Sequence, residues 1–385
     1  MNFILAANFI RHMPWTHAWW AHILATGLAQ RGHTVDLVLD GTELPIDPAA
    51  AFRVHIARPR RIHLGAHPGR FGRLVQTLRQ RDPAAVVLSL TPLVAGDLWL
   101  PIEPSPLQVA RRLVRDLRPV SLALELAHHP WLPFEAWAAW RARHPRSIRL
   151  AFDGRPGTEP LPRVTTLTQP QADAAYRDAA LVRARFDIPF DHALAALSLA
   201  EFNPRVLGSF LSDLAAAASK PLTILAATAR PHTLTRLADL AGFSSTHVRT
   251  PIHLVPVTLT RSIHPLLAAA DLALAPPPFA STPAGHSGRW IADALALGVP
   301  VLAHADAPGA TLLDPATCWR TRAELLAHLA RALTQTLAQT PAARHSRQAP
   351  TIPAHLALDR LLERVEALAA RIRPDHSATV PSRAR

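Results

Sequence analysis

At 385 residues, 49% of them hydrophobic and 18% charged, the chain is a folded globular protein too long for one core, and two domains are expected. The formal net charge of +13 suggests nucleic acid, but nearly every basic residue is arginine, Lys220 is the sole lysine, and the arginines are scattered rather than gathered into one aromatic-studded stripe. No nucleic-acid partner is therefore expected, and weak attraction to an anionic membrane surface is the partner that the charge implies.

The opening "MNFILAANFI" lacks the basic start and cleavage site of a signal peptide and reads as a strand over 2–9. A helix over 18–30 follows, stopped by Gly32, and then "TVDLVLDG", a second strand. Strand–helix–strand is the unit of a parallel sheet. Further strands are expected at 84–90, 120–127 and 147–154, with helices at 105–119 and 133–145. Residues 155–190 are polar and Pro-bearing, and read as an inter-domain stretch. A second alternating series has strands at 192–200, 221–228, 252–258 and 272–276, and helices at 204–219, 230–242 and 263–271. Amphipathic helices at 322–339 and 355–372 and a disordered tail complete the chain. No run reaches the ~18 apolar residues of a membrane span. The single cysteine, Cys318, excludes an intrachain disulfide and a Cys-rich metal site, so a reducing cytosol is expected.

The fold class is thus α/β, with two facing Rossmann-like domains and an interdomain cleft. The expected boundaries are 1–165, a linker at 166–190, 191–350, a helical segment 351–373 and a tail 374–385. Ligands of such sheets lie outside the carboxyl ends of the strands.

The stretch "GHSGRWIADALALGVPVLAH" (285–304) concentrates candidate chemistry. Gly288 at a loop-to-helix junction offers a backbone N–H to an anion, and the helix start adds partial positive charge. Arg289 can grip a phosphate with two nitrogens. Asp293, more than a turn into the helix, can accept from a ribose diol. Together they would form a nucleoside-diphosphate pocket. The same residues also describe a turn glycine, a solvated charge and an acid favouring the helix dipole, and spacing leaves both readings open.

"RWIADALALGVPVLA", preceded by "AAADLALAPPPF", resembles the donor-site signature of nucleotide-sugar glycosyltransferases of the GT-B fold, most like family four. Asp271 matches the acid of the first motif, and Ala296, Gly298, Pro300 and Val301 match the last. The resemblance implies that the Gly288 amide meets the donor phosphate and that Asp293 stands in for the second glutamate, which holds the ribose. The first glutamate, which contacts the donor sugar, falls on Gly285, which has no side chain; His286 and Ser287 adjoin it. "WWAHILATGLAQRGHTVDLVL" resembles the family's first helix and second strand, but the preceding loop carries His12 and His17 where glycines are usual. His128 and His129 stand where the family places a histidine beside the sugar; the plainer reading is a polar strand end. Arg205 and Arg230 are candidates for the basic pair that binds the diphosphate, or else exposed arginines at helix starts. Trp15, Trp19, Trp20 and Trp131 are either sugar-stacking or core.

The resemblance implies a hexosyl-type glycosyltransferase, retaining and metal-independent, with no cofactor beyond a nucleotide-sugar co-substrate. It also implies a last helix that crosses back to the first domain. The acceptor would be a glycan, a lipid-linked molecule or a protein. Gly285 and the altered loop favour a non-catalytic module that binds a nucleotide sugar or a partner glycosyltransferase. No G-x-G-x-x-G follows the first strand, and no Walker motif, G-x-S-x-G elbow or metal-ligand spacing occurs.

Overall fold

The computed structural model describes residues 1–10, 19–42, 50–57, 68–100, 147–152, 157–189, 191–198, 210–211, 213–214, 221–228, 252–258, 263–276, 288–338 and 348–373. The chain divides into two compact units. Met1–Pro162 and the chain from Leu358 onward belong to the first, and Arg163–Thr282 with Ser287–Ala357 to the second.

The first unit contains β1 (Asn2–Ile10), α1 (Trp19–Gln30), β2 (Thr34–Thr42), β3 (Arg53–Ile56), α2 (Pro68–Arg81), β4 (Val86–Ser89), β5 (Leu98–Trp99), β6 (Ile148–Ala151) and β7 (Glu159–Pro160). They form a seven-stranded sheet in the order β3-β2-β1-β4-β5-β6-β7. Every pairing is parallel, as in Phe3 opposite Val35 and Val86. Phe3 through Ala7 are buried without alternation, because a central parallel strand is covered on both faces. Residues 90–97 cross from β4 to β5 without a helix, and the buried Ser89 hydroxyl serves that turn by donating to the Thr91 and Val94 carbonyls. Trp20, weighed above for sugar stacking, belongs to the core, its ring 5.8 Å from that of Phe152.

The second unit contains α3 (Gln169–Arg185), β8 (Ala193–Ser198), β9 (Leu222–Thr228), β10 (Ile252–Thr258), α4 (His264–Ala269), β11 (Leu272–Ala275), α5 (Arg289–Ala296), β12 (Val301–His304), β13 (Cys318–Trp319) and α6 (Arg322–Ala338). The six strands run parallel in the order β10-β9-β8-β11-β12-β13. This is the doubly wound order, which reverses between β8 and β11. Ala195, Leu197, Leu222, Ile224, Leu274, Leu302 and Leu329 form its core.

A last helix, α7 (Leu358–Ile372), packs on α1 of the first unit. Gly27 is the contact point: a Cβ there would lie 2.7 Å from Leu362 Cδ1. Arg31 Nε and Nη2 donate to the two oxygens of Glu366 at 2.8 and 3.1 Å.

The clearest departure from expectation is the stretch read as a linker, 166–190, most of which is α3. Its polar, Pro-bearing character read as inter-domain, but Pro170 sits in the first helical turn, where a missing N–H costs nothing. The Gln171 side chain accepts from the Thr168 N–H, the backward half of a capping box. Strands β3, β5, β7 and β13 and helix α2 were also not anticipated. Most of the expected helix 204–219, the elements expected at 105–119, 120–127, 133–145 and 230–242, and the tail 374–385 lie outside the described residues. Among the described residues, no helix is long and apolar enough to cross a membrane.

Candidate functional site

Helix α5 follows the carboxyl end of β11, beside the point where the strand order of the second sheet reverses. Ligands of doubly wound sheets bind at that edge. Nearly every side of α5 is apolar: Ile291, Ala292, Ala294 and Ala296 are fully buried, as in a helix enclosed by its own domain. The Trp290 indole N–H donates to the Leu274 carbonyl at 2.9 Å and ties the helix to β11.

Gly288 caps this helix in the left-handed region, φ +62°. A Cβ here would lie 2.6 Å from both N and Cα of Gly309 and 2.7 Å from Arg163 Nη1. Gly309 is itself left-handed, φ +93°, and opens a short 3₁₀ turn, Ala310–Leu312. The two glycines let the 307–310 turn and the Arg163 guanidinium close on the start of α5, an approach no side chain would allow.

Arg289, the first helical residue, has a largely buried side chain whose Nε donates to Asp293 Oδ2 at 3.2 Å. Asp293 is 2% exposed. Its Oδ1 accepts from Thr165 Oγ1 at 2.6 Å, and its Oδ2 also accepts from His264 Nε2 at 3.2 Å, the proton being assigned to Nε2 because the partner is a carboxylate. Burial alone would push the Asp293 carboxyl up. The Arg289 charge and the bonds from His264 and Thr165 outweigh that and hold it below its ordinary value.

Three residues singled out in the sequence, Gly288, Arg289 and Asp293, thus form one cluster. Protein groups donate to both oxygens of Asp293. The structure adds Arg163, Thr165 and His264, which the sequence reading passed over. Arg163 and Thr165 lie in the Pro-bearing run "PLPRVTTL", and His264 precedes Pro265 at the start of α4. Their link to α5 is non-local and leaves no trace in spacing. Asp271 stands apart from this cluster at the amino end of β11, paired with Arg183 at 3.0 Å. His12, His17, His128, His129, Arg205, Arg230, Gly285, His286, Ser287, Trp15 and Trp131 lie outside the described residues. Among the described residues, no cluster of His, Cys, Asp and Glu could hold a metal ion.

No protein-family model matches the sequence, and no curated protein matches it. Solved structures do. The chain is similar to WaaG, a glycosyltransferase involved in lipopolysaccharide biosynthesis, with 18% identity and a TM-score of 0.59 over 97% of this chain and 100% of that one. It is similar to sucrose-phosphate synthase from Thermosynechococcus elongatus, with 12% identity and a TM-score of 0.58 over 97% and 99% of the two chains. It is also similar to HepE from Anabaena, solved in complex with UDP-glucose, with 15% identity and a TM-score of 0.51 over 95% and 100%. At these identities the likeness shows the fold: the chain has the two-sheet α/β fold of the GT-B glycosyltransferases.

Proposed function

We propose that this chain is a glycosyltransferase that moves a hexose-type sugar from a nucleoside-diphosphate donor to a glycan, lipid-linked or protein acceptor. The observation that carries the proposal is the cationic start of α5, where Arg163 and Arg289 meet the Gly288 cap at the carboxyl edge of the second sheet. When the bond between sugar and diphosphate breaks, the leaving diphosphate gains negative charge. The helix start and the arginines offset that charge in place, as fixed dipoles and cations do elsewhere, so no metal ion and no further cofactor is needed. HepE, solved with UDP-glucose, shares the fold and supports this reading.

The finer assignments rest on the resemblance. Transfer retains the anomeric configuration, and His128 and His129 stand beside the sugar. Gly285, His286 and Ser287 border it, Arg205 and Arg230 add charge toward the diphosphate, and His12 and His17 line the loop after β1. The protein works in the cytoplasm in the synthesis of cell-surface glycans, and its net charge of +13 draws it toward anionic membrane.

One observation favours a second reading: Gly285 offers no side chain where the family has its sugar-contacting glutamate. On that reading the chain binds a nucleotide sugar, or a partner glycosyltransferase, without turnover. Calorimetry with UDP, GDP, ADP and TDP and their sugars, followed by turnover assays, decides the matter. Saturable binding of one donor with transfer supports the enzyme. Binding without transfer to any glycan, lipid or peptide acceptor supports the second reading. No binding by folded protein overturns both.

A further inference from the structure

The resemblance gives Asp293 to the ribose, yet the carboxylate lies inside the unit. Its Oδ1 is taken by Thr165 at 2.6 Å and its Oδ2 by His264 and Arg289, each at 3.2 Å. At 2% exposure it has been withdrawn from the surface that a sugar ring would reach. Those partners come from separate parts of the unit: the segment that enters it ahead of α3, the first residue of α4 and the first residue of α5.

Arg289 raises the opposite question. A cation at the first position of a helix works against the helix dipole, and its side chain is only 11% exposed. The Arg163 guanidinium lies close by, against Gly288. Left to local energetics, a second cation here would swing out to water. Asp293, one turn further on, supplies the counter-charge that keeps it in place. A residue choice that opposes local stability marks a functional constraint, and a group that must meet developing charge needs a fixed support behind it.

Resting on the donor-site reading above, we propose that Asp293 is a positioning residue, which holds the Arg289 guanidinium at the start of α5 to meet the donor diphosphate and makes no contact with the ribose. Thr165 and His264 fix the carboxylate, the carboxylate fixes Arg289, and Arg289 meets the phosphates. Discrimination for the ribose then lies with other residues.

Inorganic pyrophosphate reads the phosphate end of the site alone. Its affinity is measured by calorimetry or competition on the full chain. It is compared with that of the best-binding nucleotide among UDP, GDP, ADP and CDP and with that of its 2′-deoxy form. Asp293→Asn is expected to weaken all of these by one common factor, about tenfold or more for a charge-assisted contact, leaving the ribo-to-deoxy ratio unchanged. In an Arg289→Gln background, Asp293→Asn should weaken pyrophosphate no further, which a general loss of structure would not reproduce. Unchanged pyrophosphate affinity with a collapsed ribo-to-deoxy ratio overturns the inference and returns Asp293 to the ribose. If Asp293→Asn does not fold, Thr165→Val keeps the charge and loosens its anchor. A smaller common loss is then expected, and unchanged pyrophosphate affinity again overturns the inference. Folded wild type that binds none of these nucleotides and not TDP either overturns the donor-site reading itself, and this inference with it.

Discussion

The second sheet has a buried carboxylate near each edge. Asp271 stands just before β11 at the amino edge, and Asp293 in α5 follows the carboxyl edge. Asp271 accepts from the Leu194 N–H at 2.9 Å and from Arg183 Nη2 at 3.0 Å. Arg183 in turn donates to the Pro189 and His192 carbonyls. That set joins α3, β8 and β11 largely through backbone. The Asp293 carboxylate is met by three side chains, two of them of basic types. Equal burial therefore hides unequal purpose. Backbone partners close a staple, whereas side-chain partners aim a charged group toward the edge where ligands sit.

The comparison breaks most sharply under substitution at the amino edge. Asp271→Asn removes the carboxylate that pairs with the buried Arg183 and is expected to cost about 3–5 kcal/mol in chemical unfolding. Nucleotide affinity of the folded protein should not change, because the Asp271–Arg183 pair lies at the amino edge of the sheet, away from the start of α5. A loss of affinity at unchanged stability would put Asp271 in the site and erase the distinction.

Gly288→Ala should come next. The left-handed backbone and the 2.6 Å approach of Gly309 both oppose a Cβ, so a cost of about 2–4 kcal/mol is expected, with weakened nucleotide binding as Arg163 is displaced. Gly32→Ala is the control: its φ is +82°, but a Cβ there meets nothing within 4 Å. It should show the backbone term alone, about 1–2 kcal/mol. Equal losses at the two positions would mean that the close packing at α5 contributes nothing.

These tests rest on residues of differing legibility. The central strands β1, β4, β8, β9 and β11 could be read in the sequence, because buried parallel strands are uninterrupted apolar runs, whereas the two-residue strands β5, β7 and β13 and the partly exposed β3 could not. Gly288 and Arg289 were legible because a helix start is a local event. Gly309 was not singled out, although "APGA" carries a Pro-Gly turn signal, because its partner Gly288 is distant in sequence. The inward turn of Asp293 had a faint signal: Ile291, Ala292 and Ala294 around it leave α5 no polar face, so an acid there is enclosed. Arg163, Thr165 and His264 had none. Arg163 and Thr165 stood in a Pro-bearing stretch read as inter-domain and His264 in an expected helix, and only the folded unit brings them to α5.

A pH titration sharpens the carboxyl-edge side of the comparison. Asp293 is held below its ordinary value of 3.8 in the folded state, so its contribution to stability is complete above that value. It is lost as pH falls through the lower, folded value. The stability gap between wild type and Asp293→Asn should therefore be constant at mild pH and narrow once pH drops below 3.8, as read from unfolding curves between about pH 6 and pH 2.5. A gap that stays constant throughout would mean that the carboxyl titrates alike in the folded and unfolded chain, so that its partners do not hold it below its ordinary value.

The smallest effect belongs to the first unit and tests the same contrast from outside. Arg31 grips both oxygens of Glu366 and reaches Asp359 at 3.1 Å, a richer set of bonds than Arg289 makes with Asp293. Counting bonds would rank it the stronger tie between α7 and α1. Exposure reverses that ranking, since the Arg31 side chain is 30% exposed and that of Asp359 72%. Water and salt compete for every one of these charges, and the apolar stripe of Leu361, Leu362, Val365 and Leu368 already holds the helix. Arg31→Ala should therefore cost no more than about 1 kcal/mol, and the cost should shrink as salt is raised. A loss like that of Asp271→Asn, insensitive to salt, would show that the number of bonds rather than the exclusion of water sets the strength of an ion pair in this fold.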